Sequence, residues 1–263
     1  MVKGPSSKTI LEPAQQIKVF READVVVVGG GPGGHAAAVA AARAGADTVL
    51  IERYGILGGM ATGGVVTIIP NLTDMYGRQQ IAGQTQEWIA RMDRRQATDY
   101  PPKELWGSKD KAKVKEWFSR SFFYSRLDML IYSVLFDAEI LKCVLNDMAE
   151  EAGVKTILHA WGTKAIADGN EVQGVIFESK AGRQAILAKV VIDGTGDGDL
   201  LPSAGATFDT DIDSTLRIAH LSLSYWLGGV DSRGVSAGTA SHHQHVSLAE
   251  DFNLLRRFQD CFR

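Results

Sequence analysis

The sequence predicts an α/β fold: a parallel sheet with an inserted β-meander layered on it, and part of a second domain behind. Three observations carry that expectation. Asp24 to Gly34 reads Asp-Val-Val-Val-Val-Gly-Gly-Gly-Pro-Gly-Gly, a four-valine strand running straight into glycines. An alanine-rich stretch and a second apolar run, Thr48 to Ile51, come next. Much later, Lys189 to Leu200 repeats the theme, with an apolar run meeting Gly194, Gly196 and Gly198 among Asp193, Asp197 and Asp199.

The first strand is expected over Val25 to Val28 and the second over Thr48 to Ile51. Neither alternates polar with apolar, as suits strands buried on both faces of a parallel sheet. Gly29, Gly31 and Gly34 occupy the glycine places of G-x-G-x-x-G. The first permits a tight turn, the second lets backbone approach a pyrophosphate, and the third lets helix and strand pack closely. A helix over His35 to Ala44 offers its N-terminal N–H groups to the phosphates, and Gly45 ends it. Glu52 lies 18 residues beyond Gly34, where a ribose hydroxyl needs an acceptor. Together these mark a Rossmann-like dinucleotide site.

Arg53 to Gly64 holds five glycines in twelve residues, a loop whose backbone can lie against something flat or anionic. A helix is expected over Arg78 to Met92, with Ile81, Thr85, Trp88, Ile89 and Met92 on one face. Arg94 to Ser119, charged and carrying Pro101 and Pro102, is expected to be an irregular excursion. Trp106 and Trp117 in it are assigned to packing rather than ligand stacking. Asp137 caps a helix running to Ala152, whose stripe is Ile140, Leu141, Val144, Leu145 and Met148; Gly153 ends it. Cys143 inside it is read as a small packing residue.

Val154 to Ala160 is expected to be a strand. Thr163–Ala167, Glu171–Glu178 and Arg183–Val191 then make the meander, with turns at Asp168-Gly169-Asn170 and Lys180-Ala181-Gly182. In the second glycine loop, Gly194 and Gly196 allow backbone approach and Asp197 can accept from sugar or ribityl hydroxyls. Alternating acids of this kind also suit calcium; the strand and glycines favour the nucleotide reading.

Beyond Phe208 the signals weaken. Leu216 to Gly229 mixes strand and helix character, Asp231 to Ser247 reads as a linker or exposed loop, and Leu248 to Phe262 as a short amphipathic helix. His242, His243 and His245 could bind metal but lack acidic or thiol companions in a defined spacing, so a solvated loop is favoured and no metal site is assigned.

The chain has 263 residues and a net charge of −3, which disfavours nucleic acid as the main partner. Cys143 and Cys261 are too few and too far apart for a disulfide framework or a thiolate metal site. No apolar run is long enough for a bilayer, and Met1 to Gln16 lacks a signal-peptide core, so a cytoplasmic protein is expected. The expected domains are an N-terminal arm over 1–22, a nucleotide domain over 23–206 with a helical excursion at about 78–136, and an incomplete domain over 207–263 for substrate or partner contact.

The motifs Val28 to Gly34, Ile51-Glu52-Arg53-Tyr54-Gly55, Leu57 to Gly64 and Val191 to Leu200 carry a resemblance. From Ala23 to about Ala206 the chain resembles FAD-dependent oxidoreductases of the glutathione-reductase-like, two-dinucleotide-binding-domain superfamily. It is similar to the broad family that includes heterodisulfide-reductase-type flavin subunits and relatives of fumarate reductase flavoproteins. The resemblance implies FAD. Gly29, Gly31, Pro32, Gly33 and Gly34 would line the pyrophosphate, Glu52 would take the adenosine ribose and Arg53 would flank adenine. Gly58, Gly59, Met60, Ala61 and Thr62 would run beside the ribityl chain and isoalloxazine. Backbone at Trp161 and Gly162 would touch adenine, and Gly194, Gly196 and Asp197 would close the site.

Three features depart from that pattern or extend it. His35 replaces the usual apolar residue after the glycines, which leaves added charge and packing both open. There is no signature for covalent flavin attachment. Such proteins continue through a substrate domain to a C-terminal segment that returns to the flavin, and no such segment is recognisable after Gly229. A shortened form, a truncated chain, and a partner subunit or second copy completing the site all remain open.

The implied activity is transfer of a hydride or electron pair between a small organic substrate and an acceptor. The alternative is an FAD-carrying subunit of a hetero-oligomeric redox complex with no substrate site of its own. Catalytic residues are unassigned; Arg217 and His220 are candidates whose other reading is a structural ion pair or hydrogen bond.

Overall fold

The computed structural model describes residues 9–207, 224–227 and 244–247. In chain order the elements are β1 (Lys18–Val28), α1 (Pro32–Arg43), β2 (Thr48–Ile51), β3 (Ile68–Ile69), α2 (Gln84–Asp93), β4 (Thr98–Asp99), α3 (Lys111–Arg120), β5 (Ser125–Arg126), β6 (Met129–Leu130), β7 (Val134–Phe136), α4 (Ala138–Glu151), β8 (Lys155–Ile157), β9 (Trp161–Asp168), β10 (Glu171–Ser179), β11 (Gly182–Asp193), β12 (Ser224–Leu227) and β13 (Gln244–Ser247).

The main sheet runs β8-β2-β1-β11-β10-β9. β8, β2, β1 and β11 are parallel, and β11, β10 and β9 are antiparallel. The α/β fold and its parallel nucleus are therefore as expected, but the meander is continuous with the sheet rather than layered on it. Its last strand is the cause. β11 pairs with β10 on one edge and on the other with β1 from Lys18↔Gln184 to Val28↔Asp193. That long partner also draws Lys18 to Ala23 into β1, so the sheet begins inside the segment expected to be an arm. The chain leaves β1 toward β2 and β8 on one side and returns to it through β11 on the other. That reversal at β1 is the topological switch point at which open α/β sheets carry their ligands.

The valines of β1 feed two cores by strict alternation. Val27 joins Leu50, Ala38, Val39, Leu141, Val144, Leu145 and Met148 beneath α1, α2 and α4. Val26 and Val28 join Val49, Ile51, Ala165, Val175, Phe177 and Leu200 on the opposite face. Each buried valine contributes roughly 1.5–3 kcal/mol, so the glycine turn that follows β1 is anchored by a fully buried strand end.

Several boundaries differ from expectation. α1 starts at Pro32, whose ring presets the first helical φ. α2 starts at Gln84, not near Arg78. Gly83 has φ 64°, and the Asp74 carboxylate accepts from the Tyr76 and Arg78 backbone N–H groups and from the Arg78 side chain, which holds that segment in a turn. The excursion is not wholly irregular. α3 forms inside it, with Asp110 accepting from Ala112 N (2.8 Å) and Lys113 N (3.1 Å). Trp106 stacks on Tyr132 at 4.1 Å, and buried Trp117 meets Tyr124 edge-on at 5.4 Å, both as packing residues. Val154 to Ala160 narrows to the three residues of β8.

Cys143 lies on the exposed side of α4, outside the core expected for it, because one turn of that helix buries only Leu141, Val144 and Leu145 around it. β13 pairs with β12 antiparallel, with His245 opposite Trp226, so part of the expected loop over Asp231 to Ser247 is strand. Arg217, His220, His242, His243 and the expected helix over Leu248 to Phe262 lie outside the described residues. Among the described residues no helix is long and apolar enough to cross a membrane.

Candidate functional site

Three glycine segments, far apart in sequence, meet at the carboxyl end of β1. Gly29 N–H donates to Ile51 O (2.7 Å), Gly194 N–H donates to Val28 O (2.7 Å), and Gly58 N–H donates to Gly30 O (2.8 Å). Gly29 has φ 94°, and a Cβ there would fall 2.6 Å from the Gly194 carbonyl carbon. A Cβ on Gly34 would collide with the Gly29 carbonyl. These two glycines are demanded by the protein itself, one for the turn and one for the helix–strand approach.

Gly31 and Gly33 are different. A Cβ at either would meet nothing within 4 Å, and Gly31 has φ −63°, open to any residue. No neighbouring protein atom calls for glycine there, and the space over the turn is open. Gly31 is also the N-cap of α1. No side chain caps it, and no acidic residue lies in the first turn. A helix start left without a capping acceptor carries unpaired N–H groups and partial positive charge, which a phosphate satisfies. The cradle fits a dinucleotide pyrophosphate.

Glu52 is 4 % exposed. Its Oε2 accepts from Gly30 N (2.6 Å) and its Oε1 from Tyr54 N (2.8 Å). The carboxylate thus holds the glycine turn from below, a task its sequence position did not reveal. Its remaining lone pairs are what it can offer to a ribose. Arg53 lies over the exposed Tyr54 ring, 4.9 Å from its centroid. Glu52 and Tyr54 are zipped to the chain entering β9: Ala160 N donates to Glu52 O (3.0 Å) and His159 N to Tyr54 O (3.1 Å). That pairing brings exposed Trp161 alongside, while a Cβ on Gly162 would collide with Val28.

In the second glycine loop, Gly58 has φ 105° and a Cβ on Gly59 would sit 3.0 Å from Gly31 Cα. A single 3₁₀ turn over Gly59–Ala61 leaves Met60 64 % exposed. Thr62 turns inward, donating its hydroxyl to Leu57 O (2.6 Å), so it holds the loop's shape. In the third loop Asp193 does the same. Its Oδ1 accepts from Thr195 N (3.0 Å) and Thr195 Oγ1 (2.7 Å), and its Oδ2 from Leu200 N (3.0 Å). Thr195 Oγ1 in turn accepts from Asp199 N (3.0 Å). Asp193 and Thr195 were missed as loop organisers, although an acid two residues before a hydroxyl is an Asx-turn signal. Gly196 and Asp197 face solvent at the rim. Among the described residues no group of three or more His, Cys, Asp or Glu is placed to hold a metal. Asp193, part of the calcium reading, is already engaged by its own loop.

His35 is fully buried, with Nε2 2.9 Å from Leu145 O and its ring edge-on to Trp88 at 5.6 Å. Burial pushes its pKa below the ordinary histidine value, and nearby Arg43 adds to this; the Leu145 carbonyl and Glu87 act the other way. His35 therefore packs α1 against α2 and α4, where burial disfavours its charged form. Of the two readings left open for it, burial favours packing over added charge at the phosphates, because desolvation outweighs the opposing effects of the Leu145 carbonyl and Glu87.

A family model described as FAD dependent oxidoreductase matches residues 24–258. Among curated proteins no sequence matches the chain. Similar solved structures include Thermovibrio ammonificans THI4 (20% identity over 69% of this chain and 61% of that one, TM-score 0.44). A geranylgeranyl bacteriochlorophyll reductase-like protein of Thermoplasma acidophilum gives 19% over 70% and 42%, TM-score 0.46. A flavocytochrome c3 fumarate reductase gives 22% over 66% and 34%, TM-score 0.39. The chain spans between about a third and three fifths of the length of these structures. With the family model covering residues 24–258, the chain belongs to the FAD-dependent oxidoreductase family, and its cofactor is FAD.

Proposed function

We propose that the chain is an FAD-dependent oxidoreductase that moves a hydride or electron pair between a small organic substrate and an acceptor. The observation that supports this most is the meeting of the three glycine segments at the carboxyl end of β1, with free space over Gly31 and Gly33. Backbone of Gly31 to Gly34, with Pro32 setting the helix start, takes the pyrophosphate. Glu52 holds the turn and accepts from the ribose, while Arg53 and the Trp161–Gly162 backbone flank the adenine. Gly58 to Thr62 line the ribityl chain and ring, and Gly194, Gly196 and Asp197 close the far side. Bound FAD supplies a ring that accepts and returns an electron pair; these residues bind it, orient it and exclude water from one face.

A second reading is an FAD-carrying subunit whose flavin face is completed by a partner subunit or second copy.

The absorbance spectrum of the purified chain, before and after removal of small molecules, tests the cofactor site. A retained protein-bound flavin spectrum is expected. A colourless, folded chain would overturn the site as drawn. Anaerobic bleaching of the bound flavin by small organic reductants then separates the two readings: no reduction by any of them favours the subunit.

A further inference from the structure

The contact between α1 and α2 holds three buried polar atoms that find no partner in the protein: His35 Nδ1, Gln84 Oε1 and Trp88 Nε1. His35 is in the first turn of α1, and Gln84 and Trp88 stand one turn apart on α2. Gln84 reaches across to α1, donating Nε2–H to Ala36 O (2.8 Å), and His35 and Trp88 are in ring contact.

What each atom needs is fixed by the other end of its side chain. Leu145 O can only accept, so His35 Nε2 carries the proton and Nδ1 is an acceptor. Ala36 O can only accept, so the Gln84 NH₂ faces it and Oε1 is left as an acceptor. The Trp88 indole N–H is a donor only. One indole proton cannot serve two acceptors, and a buried polar group left unmatched costs about 1–3 kcal/mol. A water molecule accepts from one donor and donates to two acceptors, which is this set.

We propose that one internal water is bound here, accepting from Trp88 Nε1–H and donating to His35 Nδ1 and Gln84 Oε1, and that His35 is thereby a positioning residue for the first turn of α1. His35 N–H donates to Gly31 O (2.8 Å), so its ring fastens the phosphate-facing turn to α2 through the water and to α4 through Leu145. The Leu145 side chain also packs beneath Gly58, 2.9 Å from where a Cβ on that glycine would lie. Two of the three glycine segments are thus set from one buried joint. Ordered waters of this kind, with about three hydrogen bonds, are integral parts of protein interiors.

The test is heteronuclear NMR on the full chain. The imidazole of His35 is expected as the neutral Nε2–H tautomer, and the Trp88 indole N–H is expected to show a cross-peak to a long-lived water. Gln84→Glu, which keeps an acceptor toward the water but loses the Nε2–H bond to Ala36 O, and Gln84→Leu, which loses both, are expected to differ, with only Gln84→Leu releasing the Trp88-bound water and further shifting the Gly33 and Gly34 amides. The single variants Trp88→Phe and His35→Phe are expected to cost more in sum than the double variant, because each leaves the same water under-bonded. An Nδ1–H tautomer, an indole N–H with no long-lived water, unmoved glycine amides or strictly additive costs would each overturn the proposal. If a variant fails to fold, the tautomer and the water contact are still read on the unaltered chain. None of these readings needs bound flavin, so a colourless chain would sink the cofactor site without touching this result.

Discussion

Gly29 and Gly194 touch backbone to backbone: a Cβ on Gly29 would fall 2.6 Å from the Gly194 carbonyl carbon, and the Gly29 φ is 94°. Gly29→Ala therefore meets both a strained conformation and a wall of main chain. A loss of about 3 kcal/mol is expected from the two together, read as a lower urea midpoint of the flavin-free chain.

Gly33→Ala should do the opposite. Its Cβ meets nothing in the protein, and alanine in a helix is favoured over glycine by about 1 kcal/mol. Thermal stability is expected to hold or rise while FAD affinity falls at least about tenfold, the equivalent of 1.4 kcal/mol. Unchanged affinity in a fluorescence titration would show that the pyrophosphate does not pass over Gly33.

Glu52→Gln keeps the shape of the side chain but swaps one acceptor oxygen for an NH₂ group. One of the two N–H donors at Gly30 and Tyr54 then faces another donor. Losing a charge-assisted bond in a buried site costs about 1.5–3 kcal/mol. Flavin-free stability should fall, which a role confined to the ribose would not produce.

Glu87 ties three helices together. It bonds Arg43 of α1 (2.8 Å) and Arg91 of its own α2 (2.8 Å), and Arg91 also bonds Glu151 of α4 (2.7 Å). The Arg43 hydrogen bond is the main reason its pKa drops from 4.5 to about 2, with burial opposing and Arg91 adding to the fall. A lowered carboxylate pKa contributes stability that is fully present above 4.5 and is lost as pH falls toward 2. Because the pair is partly exposed, about 1–2 kcal/mol is expected rather than the full shift. In Glu87→Gln the acid limb of stability between those pH values should flatten; an unaltered limb would place the pH dependence elsewhere.

His35 titrates with the opposite chemistry and the same sign. Its pKa is lowered by burial, so the unfolded chain binds the proton more readily than the folded one. Its contribution is complete above the ordinary histidine value and is lost as pH falls through the lower folded value. His35→Phe should remove that component, and the imidazole resonances should stay neutral at a pH where free histidine is charged.

The glycine turn after β1 was legible in sequence because its signals are local. Strand, glycine turn and helix are written in consecutive residues from Asp24 to Arg43, and turn chemistry depends on the residues that make the turn. The two later glycine loops were legible for the same reason. Sequence could not say that Gly29 and Gly34 are required by neighbouring backbone whereas no neighbouring atom requires Gly31 or Gly33. It could not say that Glu52 braces Gly30, that His35 is buried between α1, α2 and α4, or that Cys143 faces out. Most of those depend on an atom brought from far along the chain: Gly194 against Gly29, Glu52 against Gly30, and Leu145 against His35. Local conformational preference therefore determined where the loops are and what they can bind. Burial and long-range hydrogen bonding, present only once the sheet has closed, decided which side chains hold them in place.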